Sequence, residues 1–97
     1  MVKLIIENNA KLDLKKLYLY IKEDSPINAE KVKQTIINSF YKILANPQFF
    51  PADKYKLDND TAYRAYEVYS YRISYFVSNT EIRILRIRHT KMNPFFY

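Results

Sequence analysis

Residues 71–97 read YRISYFVSNTEIRILRIRHTKMNPFFY, and the first two-thirds of that stretch set the architecture. Two runs rich in β-branched and aromatic residues, 71–78 and 81–88, meet at Ser78-Asn79-Thr80. This pattern predicts two strands joined by a tight turn. Simple alternation along the second run puts Ile82, Ile84, Arg86 and Arg88 on one face. Arg83, Leu85, Ile87 and His89 then fall on the other. Each face changes character halfway, the first from apolar to basic. A strand that only covered a core would stay apolar on one side. Either the arginines reach solvent as the strand leaves the core, or Arg86, Arg88, His89 and Lys91 form a site for phosphates. In the first run Tyr71, Ile73, Tyr75 and Val77 share a face, and Arg72, Ser74 and Phe76 share the opposite one.

Working outward, Thr61 to Tyr69 reads TAYRAYEVY and predicts a further strand, preceded by a proline- and aspartate-bearing loop from Pro47 to Asp60. Upstream, Ala29, Val32, Ile36, Ile37, Phe40, Ile43 and Leu44 recur at helical spacing. Ser25-Pro26 opens that helix with a capping hydroxyl and a proline at its first position. Asn46-Pro47 ends it. An earlier helix, from Ala10 to about Asp24, carries Leu14, Leu17, Tyr18 and Ile21 on one stripe, with Asn8-Asn9 as its cap. Val2 to Ile6 is a short apolar strand expected well inside a sheet. The order is βααβββ. The expected fold is α+β: one domain over residues 1–97, an antiparallel helical hairpin packed on a small, mostly antiparallel sheet.

Composition narrows the chemistry. The net charge of +6 favours an anionic partner such as RNA, DNA or an acidic protein segment. The lysines lie mostly in the first sixty residues, while Arg64, Arg72, Arg83, Arg86 and Arg88 all fall in the strand-rich half. The planar guanidinium suits phosphate and carboxylate recognition. Glycine is absent, which excludes P-loop and dinucleotide cradles and the Gly-x-Ser-x-Gly elbow. Turns are therefore expected to use Asn and Asp at left-handed positions. Cysteine is absent and there is a single histidine, so neither a thiolate nor a histidine metal site is expected, and no cofactor is implied. No stretch has the length of a membrane span, and the expected location is the cytoplasm. Tyr63, Tyr66, Tyr69, Tyr71 and Tyr75 suit base stacking, a partner-binding groove, or plain strand formation.

The order βααβββ, the segment YRISYFV and the end ILRIRHTKMNPFFY resemble the RelE/ParE superfamily of toxins from bacterial type II toxin–antitoxin pairs. The resemblance covers almost the whole chain. It implies an antitoxin partner whose flexible tail wraps the toxin, in a homodimer or a heterotetramer with the antitoxin. It also implies one of two targets: the ribosome and its mRNA, which some members cleave, or DNA gyrase, which others poison. For an endoribonuclease the resemblance assigns catalysis to Arg72, Lys91 and Tyr97. Arg64, Arg83, Arg86, Arg88 and His89 are then expected to contact the target or nucleic acid, with Arg64, Arg72, Arg86 and Lys91 converging in space. The strand before Tyr71-Arg72 carries Arg64 and Glu67 where RNA-cleaving members carry several basic residues. This departure favours the ParE-like, plasmid-stabilisation branch. A non-toxic nucleic-acid-binding module and a degenerate toxin that only absorbs antitoxin are the alternatives. The tail Pro94-Phe95-Phe96-Tyr97 is expected to pack on the sheet or on the antitoxin.

Overall fold

The computed structural model describes residues 2–92 and 96–97. Its elements run β1 (Lys3–Ile6), α1 (Asn8–Asp24), α2 (Pro26–Ala45), β2 (Tyr63–Val68), β3 (Tyr71–Val77) and β4 (Glu81–His89). The order is the expected one, and the fold is α+β. Pro94 and Phe95 of the tail lie outside the described residues.

Ser25 alone joins the two helices. Its extended backbone ends α1, and its hydroxyl then accepts the Asn28 amide at 3.2 Å to start α2. With Pro26 as the first helical residue, one amide is capped and another is absent from the outset. A single-residue connection forces the helices antiparallel. The start of α1 differs from expectation: Glu7 occupies the cap position without a side-chain hydrogen bond, and Asn8 and Asn9 are already helical.

The sheet order is β1-β4-β3-β2. β2, β3 and β4 form an antiparallel meander, while β1 pairs parallel to β4. β1 is thus an edge strand, not the interior strand its apolar run suggested. Leu4 and Ile6 pair with Ile82 and Ile84 and pack on the core, which accounts for the apolar bias without a central position.

The core lies between one sheet face and the hairpin. Ile36, Phe40 and Ile43 of α2 and Leu17 of α1 pack with Ile73, Tyr75, Ile82, Ile84 and Ile87. The tyrosines inside it keep their hydroxyls satisfied. Tyr75 donates to the Pro47 carbonyl, Tyr66 shares a 2.6 Å hydrogen bond with Ser39, and Phe50 stacks on the Tyr66 ring. Burial raises the Tyr66 phenol well above its ordinary pKa, so it stays neutral. These two tyrosines are not available for base stacking.

Simple alternation fails in β4 at one point. Tyr75 pairs with Ile84 and Ser74 with Arg86, so Leu85 has no partner. This β-bulge resets the pleat. Ile87 returns to the core face, where it is buried, and Arg86 and Arg88 face the same side as Arg72 and Ser74. The apparent change of character along the strand is this bulge.

Glycine-free turns also work differently from expectation. Left-handed backbone angles occur at Asp58, Thr61 and Tyr69, and only one of these is an Asx residue. Asn59 and Asp60 instead supply hydrogen bonds: the Asn59 side-chain oxygen accepts the Thr61 and Tyr63 amides, and Asp60 accepts that of Ala62.

The bulge has a direct test in urea unfolding. Ile87→Ala should cost about 2–4 kcal/mol, the usual penalty for emptying a core site, and Leu85→Ala under about 1 kcal/mol. Uninterrupted alternation would place the two residues on one face with comparable penalties.

Candidate functional site

The sheet face away from the core is where the chemistry gathers. Register puts Arg72 beside Arg88 and Ser74 beside Arg86. The segment after α2 folds back along β2, with an isolated antiparallel bridge between Ala52 and Arg64, and carries Asp53 and Tyr55 over this face. A cleft of about 560 Å³ results, lined by Asp53, Tyr55, Tyr63, Arg72, Ser74, Leu85, Arg86, Arg88 and Tyr97 among others.

Asp53 is the hub of the cleft. Its side chain is 2% exposed, and Arg72 donates to Oδ1 at 2.8 Å. The Tyr97 hydroxyl donates to Oδ2 at 2.6 Å, and the Tyr55 amide donates to Oδ1 at 3.0 Å. Burial opposes the charge, but the hydrogen bonds from Tyr97, Arg72 and Tyr55 outweigh it and hold the carboxyl below its ordinary value. The Tyr97 phenol is driven the other way, by burial first and then by its bond to the Asp53 carboxylate. The Arg72 guanidinium also lies over the Tyr55 ring at 4.8 Å. Tyr97 is tied down at its backbone as well, donating to the Tyr55 carbonyl and accepting the Leu57 amide.

A second acidic residue, Asp13, organises the outer edge of the C-terminal half of β4. Beyond Ile6, where β1 stops pairing, β4 would present a bare edge. Asp13 of α1 fills it. Its Oδ2 accepts the Ile87 amide at 2.9 Å and Arg86 Nε at 2.8 Å, while Oδ1 accepts Arg86 Nη2 at 3.1 Å. This fork raises the Arg86 pKa further, chiefly through the hydrogen bond to Asp13. A second cleft of about 660 Å³ opens here between α1 and the end of β4. Lys16, Tyr20, Tyr71, Arg88, His89 and Lys91 line it with Asp13 and Arg86.

The arginines and their neighbours thus divide. Arg72, Arg86 and Arg88 share the first cleft, and Tyr97 joins them. Lys91 lies on the second cleft, with Arg86, Arg88 and His89. Arg64 faces the helix side of the sheet, donating to the Phe50 carbonyl at 2.6 Å, so the expected convergence of Arg64 with Arg72, Arg86 and Lys91 does not occur. Arg83 is held at the β1 side by Glu81 and Glu7. His89 accepts the Lys91 amide on Nδ1 and meets the Tyr71 ring edge-on. Among the described residues no cluster of three or more His, Asp or Glu is placed to hold a metal.

Asp13 and Asp53 were missed in the sequence. Asp13 had a legible signal: three residues after Ala10 and one before Leu14, it lies on the inward stripe of α1, where a lone carboxylate needs a partner. Asp53 had none.

A family model for the ParE toxin of type II toxin–antitoxin systems matches residues 4–94. The chain belongs to the ParE toxin family. Solved structures that resemble it include the chromosomal ParDE toxin–antitoxin system from P. aeruginosa. That chain is 22% identical, with a TM-score of 0.72, and the match covers 94% of this chain and 98% of the other. At that identity the likeness bears on the fold. No curated protein matches the sequence.

The Asp53 hub predicts an acid-sensitive contribution to stability. A carboxyl whose folded pKa is depressed stabilises the protein above its unfolded value, near 3.8, and loses that contribution as pH falls through the lower folded value. Urea unfolding should show this loss below about pH 4 in the parent and not in Asp53→Asn. At neutral pH that variant should be weaker by about 3 kcal/mol, because the partly buried Arg72 loses its counter-charge. Tyr97→Phe removes one hydrogen bond to the carboxylate and should cost about 1–3 kcal/mol.

Proposed function

We propose that this protein is held inactive by a cognate antitoxin and, when free in the cytoplasm, arrests growth by poisoning DNA gyrase, without cleaving mRNA. The observation that carries this reading is the state of the candidate ribonuclease set. Arg72 and Tyr97 are both committed to Asp53, and Lys91 lines a different cleft. RNA cleavage needs a group to take the 2′-hydroxyl proton, another to protonate the leaving oxygen, and cations on the phosphate. Tyr97 is a poor base when its proton already points at a buried carboxylate and its pKa is raised. Arg72 offers a phosphate a charge that Asp53 largely cancels. His89 borders both clefts, but its ring is engaged by the Lys91 amide at Nδ1 and by the edge of Tyr71.

For the antitoxin, the reading rests on charge and exposed apolar surface. Net charge +6 suits an acidic or amphipathic tail, and Leu12, Leu19, Tyr20, Ile27 and Tyr41 stand exposed on the two helices. The similar P. aeruginosa structure is that of a ParDE toxin–antitoxin system, which agrees with such a partner.

The ribosome-dependent endoribonuclease remains the second reading, because Arg72, Arg86, Arg88 and Tyr97 do border one cleft. Induction without the antitoxin, followed by parallel assays of gyrase supercoiling and transcript integrity, separates the two. The expected outcome is growth arrest, inhibited supercoiling and intact transcripts. Transcript cleavage abolished by Arg72→Ala would overturn the gyrase reading. Absence of growth arrest would favour the non-toxic module or the degenerate copy.

A further inference from the structure

We propose that the cleft between α1 and the end of β4 binds single-stranded DNA, with Lys16, Arg88 and Lys91 on successive phosphates and the Tyr20 ring against a base. The choice of DNA over RNA rests on the gyrase reading, since gyrase acts on DNA, while the single strand is argued from the cleft itself.

The cleft has a volume of about 660 Å³ and walls of two kinds. One is cationic. Lys16 and Lys91 are exposed, and among the described residues neither ammonium has an ion-pair partner. Arg88 borders the same space, its Nη2 3.7 Å from the Met92 sulfur. Among the described residues the only carboxylate lining it is Asp13, already bound by the Arg86 fork and the Ile87 amide. Its charge is cancelled locally, so the rest of the cleft stays positive. That positive surplus attracts phosphates.

The other wall is aromatic. Tyr20 is 73% exposed on this cleft, near enough to Tyr71 for the two phenols to influence each other. Tyr71 lies on the same cleft, steadied by the His89 ring 5.2 Å away. Cations beside an exposed aromatic face suit a strand whose bases are unstacked: charges follow the backbone, and rings take the bases. A duplex hides its base faces and offers Tyr20 nothing. A peptide of acidic residues alone, such as a polyglutamate, would use the lysines but would leave the ring idle.

The test is fluorescence anisotropy of the full chain with a labelled fifteen-residue oligothymidylate, at roughly 50 and 200 mM salt. Affinity should fall steeply with salt. Lys16→Ala/Lys91→Ala should flatten the log–log salt slope by about 1.4, or ~0.7 for each single-strand phosphate contact. Lys31→Ala/Lys42→Ala removes the same charge outside the cleft and should leave the slope nearly unchanged. Tyr20→Ala should weaken binding about tenfold. All these side chains are exposed, and thermal melts will confirm that the variants fold. Several results would overturn the proposal: equal effects of the two lysine pairs, no effect of Tyr20→Ala, or tighter binding to a matching duplex, to oligouridylate, or to a glutamate-rich peptide. Gyrase is absent from the assay, so failure here leaves the supercoiling experiment to decide the gyrase reading independently.

Discussion

β4 serves two layers at once because Leu85 stands opposite no residue of β3. Before the bulge, Ile82 and Ile84 face the helices; after it, Ile87 does so, and Arg86 and Arg88 emerge on the reverse side. Without that extra residue the strand would have to bury an arginine or expose an isoleucine. Burying an unpaired guanidinium costs several kcal/mol, and exposing Ile87 forfeits much of a core side chain, so the bulge is the cheaper solution. The bulge also sits where β1 stops pairing, and a bulged strand bends and twists there. Helix α1 then approaches closely enough for Asp13 to reach the Ile87 amide. Core, cleft and edge are thus coupled through one position.

The basic character of the molecule is shaped by a few acids. Arg72, Arg83 and Arg86 meet Asp53, Glu81 with Glu7, and Asp13 respectively. The exposed Arg83 pairs are weak individually. The Asp53 and Asp13 pairs are more shielded and geometrically defined, and their main effect is placement. They hold two guanidiniums at fixed points on the sheet and remove them from the pool of mobile positive charge. Among the described residues the lysines form no ion pair, and Lys16 of α1 and Lys91 beyond β4 bring two of them to one cleft.

Much of this was legible in the sequence. Helical spacing gave both helices, Ser25-Pro26 marked the turn between them, and the tyrosine- and isoleucine-rich runs gave the meander. These are local signals, written in periods of about 3.6 and 2. The failures share a cause. The edge position of β1, the phase reset at Leu85 and the separation of Arg64 from Arg72 all depend on which strand pairs with which, at what register. A one-residue slip reverses every side chain beyond it, and nothing local announces it. The expectation that Asn and Asp would take the left-handed positions holds at Asp58 and fails at Thr61 and Tyr69. Asn59 is worth more as a donor and acceptor to its neighbours, so Thr61 carries the unfavourable angle instead.

The parallel pairing of β1 with β4 also constrains the order of assembly. Lys3–Ile6 meets Glu81–Ile84, with both helices and two strands between them in the chain. Closing so long a loop is entropically slow, and contacts of this separation form late. The helical hairpin can collapse as soon as it is made, but its apolar stripe is covered in full only once Ile82, Ile84 and Ile87 of β4 are available. During synthesis, therefore, neither cleft exists until β4 has emerged, and a copy cut short before β4 lacks both.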